Sequence, residues 1–264
     1  MFKSTIADSI IEVSHKRIES PDKSVYYNHI HKHCEMLLFV SGKADYNIDG
    51  VIFRPKPYDM LFIPSATYHY LIPTEDKPYE NYVIGIMPEF IKKEHYEKLF
   101  SSPLMIGIGD EGALIEFFRR LDFYKANYEE VDFATAARAL IEELVVFLYY
   151  KKDTMRSVKT TANAHINAVV SFVRENIEKP LDARIIASEL HLSESYVQNL
   201  FSREMHIGLK RYVMQKKIYA AHADLLRGDS PIEVAARYSF GDYSSFYRLY
   251  KKTFADMPKH KGGG

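Results

Sequence analysis

Two groups of side chains in this chain have types and spacings that could do chemistry. One is a set of hydrogen-bonding residues, Ser195, Gln198, Asn199 and Ser202, matched further along by Ser244, Ser245, Tyr247 and Arg248. Interleaved with them at three- and four-residue spacing stand Val197, Leu200 and Phe201, then Phe246, Leu249 and Tyr250. That periodicity predicts helices that bury one face and expose the other. An exposed helical face of donors and acceptors is what readout of base edges in the DNA major groove requires. The other group lies near the beginning. His29 and His31 stand two apart, the spacing that sends both side chains to one face of a strand and so into one interior.

The elements that must position the first group repeat one another. Ala187 and Ala235 are 48 apart, as are Leu192 and Phe240; Val197 and Phe246 are 49 apart, as are Phe201 and Tyr250, so one residue is inserted in the second turn. The small Ala187 and Ala235 let two helices approach closely. Turns follow at His191-Leu192-Ser193 and Ser239-Phe240-Gly241, and Ser193 and Asp242 suit the N-cap of the next helix. Asp242 is therefore counted with the DNA-facing set. Leu209 to Arg227 holds no proline or glycine and predicts one helix, about 28 Å long at 1.5 Å per residue. Such a rod could hold two recognition helices in successive major grooves, roughly 34 Å apart. Lys210, Arg211, Arg248, Lys251 and Lys252 could anchor phosphates, which adds affinity without sequence information. Residues 165–264 carry 15 Lys and Arg against 11 Asp and Glu in a chain of zero net charge, so a polyanionic partner belongs to this end.

The second group sits in a different kind of sequence. From Lys23 to Pro88 the chain is rich in Tyr, Phe, Ile and Val and is punctuated by Ser41-Gly42, Asp49-Gly50, Pro55, Pro57, Pro64 and Pro73. Short apolar runs at 36–40, 60–63 and 82–86 predict strands of an all-β unit, and Asp49-Gly50 predicts a hairpin turn. Beyond Pro88 the pattern becomes helical: Leu114, Phe117, Phe118, Leu121 and Tyr124, then Ala137, Leu140, Ile141, Leu144, Val145 and Leu148. These are two amphipathic helices joined near 126–132, with apolar faces wide enough for packing either within the subunit or against a partner. The polar stretch 153–164 reads as a linker. The longest apolar run, Leu144 to Tyr150, is far short of the roughly 18–20 residues of a membrane span. No apolar core follows Lys3, so no secretory signal is expected. The lone Cys34 rules out an internal disulfide framework and fits the cytoplasm.

The last hundred residues resemble the DNA-binding domain of the AraC/XylS transcription regulators. The resemblance is carried by Ile186-Ala187, Leu192-Ser193, Tyr196-Val197, Leu200-Phe201, Tyr212-Val213, Ile232 to Ala235, the dense run from Phe240 to Lys252, and Pro258. There are departures. Ser239 and Ala255 stand where the family has glycine. Asn199 and Ser202 replace basic residues, and Lys217 replaces the arginine that opens the linker helix. The resemblance implies sequence-specific DNA binding, transcription control, a small-molecule effector, a homodimer and RNA polymerase as a further partner.

The histidine region resembles the two cupin motifs: His29-x-His31-x-x-x-Glu35 with Gly42 seven further on, then Pro64-x-Ala66-x-x-His69. Here too glycines are replaced, by Tyr58 and Ala66, and Pro73 falls where the late asparagine belongs. The resemblance implies a small β-barrel and a three-histidine, one-carboxylate set of His29, His31, Glu35 and His69. Such ligation suits Fe, Mn, Ni, Zn or Cu without choosing among them, and His33 could stand in as a ligand. The same residues with Tyr46 would line an effector pocket whether or not a divalent metal is present; Tyr26, Tyr27, Tyr68 and Tyr70 are further aromatic candidates.

The expected architecture is therefore a multi-domain α and β chain: a cupin-like effector-binding β-barrel over 1–88, a helical dimerisation hairpin over 89–152, a linker over 153–164, and an all-α domain with tandem helix-turn-helix units over 165–264. The expected function is an effector-responsive transcription regulator, not an enzyme. The competing reading is a metal-dependent cupin dioxygenase or isomerase with a helical appendage.

Overall fold

The computed structural model describes residues 1–6, 10–21, 29–107, 112–157 and 160–258, and the chain divides into two units, Met1–Thr161 and Ala162–Gly264. Alternating residues between turn signals make the strands β1 (Phe2–Ile6), β2 (Ile11–Ile18), β3 (Cys34–Ser41), β4 (Ala44–Ile48), β5 (Val51–Phe53), β6 (Asp59–Ile63), β7 (His69–Pro73), β8 (Tyr79–Ile86), β9 (Leu104–Gly107), β10 (Arg156–Ser157) and β11 (Thr161–Ala162). One sheet has the order β1–β2–β8–β3–β6–β9–β10, the other β11–β5–β4–β7. Asp49 (φ 46°) and Gly50 (φ 84°) make the two-residue turn between β4 and β5, the primed geometry that matches strand twist. Asn47 Oδ1 accepts from the Gly50 amide at 2.8 Å.

Strand β3 explains the layering. Its Leu37 and Phe39 pack with Tyr46, Ile48, Phe53, Leu61 and Ile63 between the sheets. Its Cys34, Met36 and Leu38 face the other way, into a cluster shared with α1 (Lys93–Phe100), α2 (Gly112–Asn127) and α3 (Glu130–Lys151). The apolar run through β3 thus records burial on both faces. Helices α2 and α3 form the expected hairpin, and Phe117, Phe118, Leu121, Leu140, Leu144 and Leu148 are buried in that same cluster. The hairpin's wide apolar face is therefore spent within the unit, while Phe123, Tyr128, Val131 and Tyr150 remain exposed.

Two expected boundaries shift. β9 pairs with β6, and β10 pairs with β9, so the β layer draws on residues beyond 88 and the stretch 153–164 is not linker throughout. The cause is the open edge of β6, whose unpaired backbone groups accept a short extended segment; four residues are too few to show alternation.

The second unit is helical: α4 (Ala164–Glu175), α5 (Ala183–Glu189), α6 (Glu194–Met205), α7 (Leu209–Leu226), α8 (Pro231–Arg237) and α9 (Tyr243–Phe254). The pairs α5–α6 and α8–α9 are the repeated units. In each, a left-handed residue follows the first helix, His191 (φ 55°) or Ser239 (φ 54°), and the longer second turn adds Gly241 (φ 84°). In each, the next amide bonds back to the small alanine: Leu192 to Ala187 at 2.9 Å and Phe240 to Ala235 at 3.2 Å. The rod α7 runs between them as 18 uninterrupted helical residues. Lys217 does not open this helix, as the family comparison implied, but lies within it. It is buried, and its ammonium donates to the carbonyls of Lys179 at 2.6 Å and Tyr238 at 2.7 Å. Asp224, also buried, accepts from Arg227, from Arg237 at 2.5 Å and from the Tyr238 hydroxyl at 2.9 Å. Burying a charge is costly unless it is compensated: Asp224 is paired with two arginines, and the Lys217 ammonium is hydrogen-bonded to two carbonyls.

Gly42 carries a steric constraint that can be tested. Its φ is +98°, and a Cβ there would lie 2.7 Å from the Pro78 carbonyl oxygen and 2.6 Å from Tyr79 Cβ. Both the torsion and the clash oppose a side chain, so Gly42→Ala is expected to lower stability by more than about 1 kcal/mol, read from the midpoint of urea unfolding.

Candidate functional site

The histidine cluster is assembled from three places in the chain. His29 and His69 exchange backbone hydrogen bonds, each 3.1 Å, which brings the segment before β3 alongside the start of β7. Glu35 is the second residue of β3 and faces the space between the sheets, as Leu37 and Phe39 do. One ligand atom from each of His29, His31, Glu35 and His69 lies within 4.8 Å of the others. The four residues expected together are together.

Two of the rings are oriented by carbonyls. His31 Nδ1 lies 3.0 Å from the His33 carbonyl, and His69 Nδ1 lies 2.9 Å from that of Thr67. A carbonyl only accepts, so each Nδ1 carries the proton. In the neutral ring Nε2 is then a bare lone pair. Both Nε2 atoms are buried and face Glu35, at 3.0 Å for His31 and 3.3 Å for His69, off the line a hydrogen bond needs. Lone pairs set against a carboxylate are stable only with a positive charge among them, either a second proton on a ring or a metal ion. Carbonyl-oriented imidazoles of this kind are the usual surroundings of a metal ligand, and the orphaned Nε2 atoms fit that group. Without an ion, burial pushes the Glu35 carboxyl up, but the His31 and His69 rings outweigh it and hold the group well below its ordinary value. Burial lowers His31, yet Glu35 outweighs burial and the net shift is upward.

Other expected residues fall outside the cluster. Tyr46 is fully buried in the apolar layer between the sheets, and its hydroxyl accepts from Asn81 Nδ2 at 3.1 Å. His33 is buried and serves through its carbonyl rather than as a fourth ring in the set. Cys34 points away, its thiol donating to the Ile86 carbonyl at 3.2 Å, and burial pushes that thiol up. Tyr68 and Tyr70 are buried; Tyr26 and Tyr27 lie outside the described residues. The contribution of Thr67 was not foreseen, because a backbone carbonyl leaves no mark in the sequence.

At the other end, Ser193 and Asp242 cap α6 and α9 as expected, accepting from the amides of Tyr196 at 3.3 Å and Ser245 at 2.8 Å. Ser195, Gln198, Asn199 and Ser202 on α6 are exposed, as are Ser244, Tyr247 and Arg248 on α9. Gln198 Nε2 donates to Glu194 at 2.8 Å, which directs its amide. Ser245 is half-buried, and its hydroxyl donates to Asp242 at 2.7 Å, so this pair builds the helix end that presents Tyr247 and Arg248. Lys210 and Arg211 are exposed at the start of α7. Lys251 pairs with Asp256 at 3.0 Å, while Lys252 is exposed. The α6 face and the start of α7 flank an open groove of about 620 Å³ that includes Gln198, Asn199, Ser202 and Lys210. A contact not foreseen is His165 Nδ1 to the Tyr196 hydroxyl, 2.8 Å, tying α4 to α6.

Residues 16–120 match the AraC-like ligand binding domain family, and residues 186–261 match a helix-turn-helix domain family. The chain is similar to the multiple antibiotic resistance protein MarA of Escherichia coli, 26% identical over 106 residues, 40% of this chain and 83% of that protein. It is also similar to the regulatory protein SoxS of Escherichia coli, 24% identical over 94 residues, 35% of this chain and 88% of that one. Among solved structures, ToxT from Vibrio cholerae aligns over 96% of this chain and 99% of its own, at 14% identity and a TM-score of 0.39.

The cluster predicts a pH signature for metal-free protein. Glu35, depressed from 4.5, contributes stability that is present above that value and lost as pH falls through its folded value. His31, raised from 6.5, contributes stability that is present below that value and lost as pH rises through its folded value. These are two ends of one interaction. Glu35→Gln is therefore expected to cost most between those two ordinary values, about 1–3 kcal/mol, and progressively less above them. Urea unfolding across the pH range reads the difference.

Proposed function

Because this chain is an AraC-family transcription regulator, with an AraC-like ligand-binding domain ahead of its helix-turn-helix domain, we propose that α6 and α9 read DNA sequence in adjacent major grooves under control of a small molecule bound in the β domain. As a member of that family it is a regulator and not an enzyme, and the cupin-enzyme reading falls. The observation that carries the proposal is the repeat itself: two capped helices, each entered after a left-handed residue that ends the helix before it, each with exposed polar side chains. In this reading Ser195, Gln198, Asn199, Ser202, Ser244, Tyr247 and Arg248 meet base edges or nearby phosphates. Lys210, Arg211, Lys251 and Lys252 hold the backbone, and Asp242 with Ser245 positions α9.

The β domain takes its effector at the end of the space between the sheets, beside His29, His31, Glu35 and His69. Those four would hold a divalent transition ion, which would supply an electrophilic centre for oxygen or nitrogen atoms of a ligand. The exposed apolar residues of the α2–α3 hairpin support a homodimer, which suits paired half-sites. RNA polymerase as a partner, and the cytoplasm as location, rest on the family's role; among the described residues no helix is long and apolar enough to cross a membrane.

The test is titration of the protein into its own upstream DNA at several salt concentrations, against scrambled competitor, with light scattering on the same samples. Competitor-resistant binding by a dimer is expected; binding no tighter than to scrambled DNA, with and without cell-extract small molecules, refutes the reading. Arg248→Ala should weaken all sequences alike and reduce the salt slope by about one, whereas Gln198→Ala should cost about 1–3 kcal/mol and relax one base position. Elemental analysis of protein as purified is expected to give close to one transition-metal ion per chain, lost in His69→Ala. A stoichiometry near zero after growth with each candidate metal excludes a resident ion.

A further inference from the structure

Within the first unit a cavity lies away from the histidine cluster. It is a crevice of about 290 Å³ between the outer end of the β2–β8 sheet region, the start of α1 and the middle of α3. Its walls are Ile11, Ile86, Ile91, Ile141 and Val145, all buried, with Val146 at the rim 42% exposed. Its polar groups are Lys92, His95, Arg138 and Glu142.

His95 is the informative one. It lies on the buried face of α1 with Leu99 and Phe100, 6% exposed, its ring against Tyr149 at 4.4 Å between centroids. Among the described residues neither ring nitrogen has a hydrogen bond. The approach of Glu94, 3.8 Å from Nε2, is too long for one. The ring is mostly enclosed, and it lines the crevice, so a ligand there could accept from its N–H. The charges around it are unequal. Arg138 is paired with Glu142 at 2.9 Å, but the ammonium of Lys92 has no ion pair among the described residues. The crevice thus offers apolar walls, an imidazole and, at its exposed edge, the ammonium of Lys92, at the lower end of the roughly 300–1,000 Å³ range of ligand pockets.

We propose that this crevice is a second small-molecule site, distinct from the barrel-end cluster, for a compact apolar monoanion such as a bulky carboxylate. The apolar body covers Ile141, Val145 and the rim Val146, and the carboxylate accepts from His95 and faces Lys92. Because one wall is α3, occupancy braces the helical hairpin against α1. The inference goes beyond the DNA-binding reading and stands or falls apart from it.

Calorimetric titration of the full chain with 1-adamantanecarboxylate, and with 1-adamantanemethanol as its neutral counterpart, tests the site. Saturable one-to-one binding is expected, about tenfold tighter for the carboxylate. Lys92→Ala and His95→Phe should each weaken the carboxylate by about fivefold or more while leaving the alcohol little changed. Val146→Trp, at an exposed position that should not disturb folding, should block both ligands. His69→Ala should leave both unchanged. No saturable binding, binding indifferent to Lys92→Ala and Val146→Trp, or binding abolished by His69→Ala would overturn the proposal.

Discussion

Successive side chains of a strand point to opposite faces, and β3 has a packed layer on each. Glu35, Leu37 and Phe39 go to the space between the sheets; Cys34, Met36 and Leu38 go to the helices. A slip of one residue would put a carboxylate into the helical cluster and a thiol among the imidazoles. The apolar cost of that slip, four or more large side chains turned to the wrong layer, is what holds Glu35 where His31 and His69 can reach it. The same register lets the α2–α3 hairpin bury its face on the sheet. The barrel-end cluster and the hairpin thus share one determinant.

The helical unit solves a different problem: holding two short pairs of helices in fixed attitudes with little core between them. Packing alone does part of it, through Phe201 against Tyr212 and Tyr219 against Phe254. Two buried charges on α7 do the rest. Lys217 ties the rod to carbonyls at the ends of segments flanking both pairs, and Asp224 gathers Arg227, Arg237 and Tyr238. Buried ionic groups add little net stability, but they penalise any packing in which their partners are missing. Here they discriminate against rotated arrangements of α8 that an apolar contact would tolerate.

Much of this was legible in the sequence because its signals are local. The caps Ser193 and Asp242, the turn Asp49-Gly50, the periodicity of α2, α3, α6 and α9, the stretch without proline or glycine that forms α7, and the spacing of His29, His31, Glu35 and His69 all act within a few residues or follow a motif. What escaped depends on contacts between distant segments. β9 and β10 exist because β6 has a free edge. The orientation of His31 and His69 depends on carbonyls, which every residue has. Tyr46 shares the inward layer with the cluster yet is consumed by Asn81, and nothing near Tyr46 in sequence announces that. Lys217, placed at a helix start by resemblance, sits mid-rod because its partners lie on other segments. His95 reads as one more residue on an amphipathic helix until the wall opposite is known.

The departures from motif have a common character. Tyr58, Ala66, Ser239 and Ala255 stand where the motifs that this sequence resembles carry glycine, and all four have positive φ, at 67°, 55°, 54° and 65°. An L-residue in that region is disfavoured by about 1–2 kcal/mol, so the surrounding packing must hold these torsions. The glycines of a motif mark places where the main chain must turn left, and once a surrounding core enforces the turn, the permissive residue is no longer needed to make it.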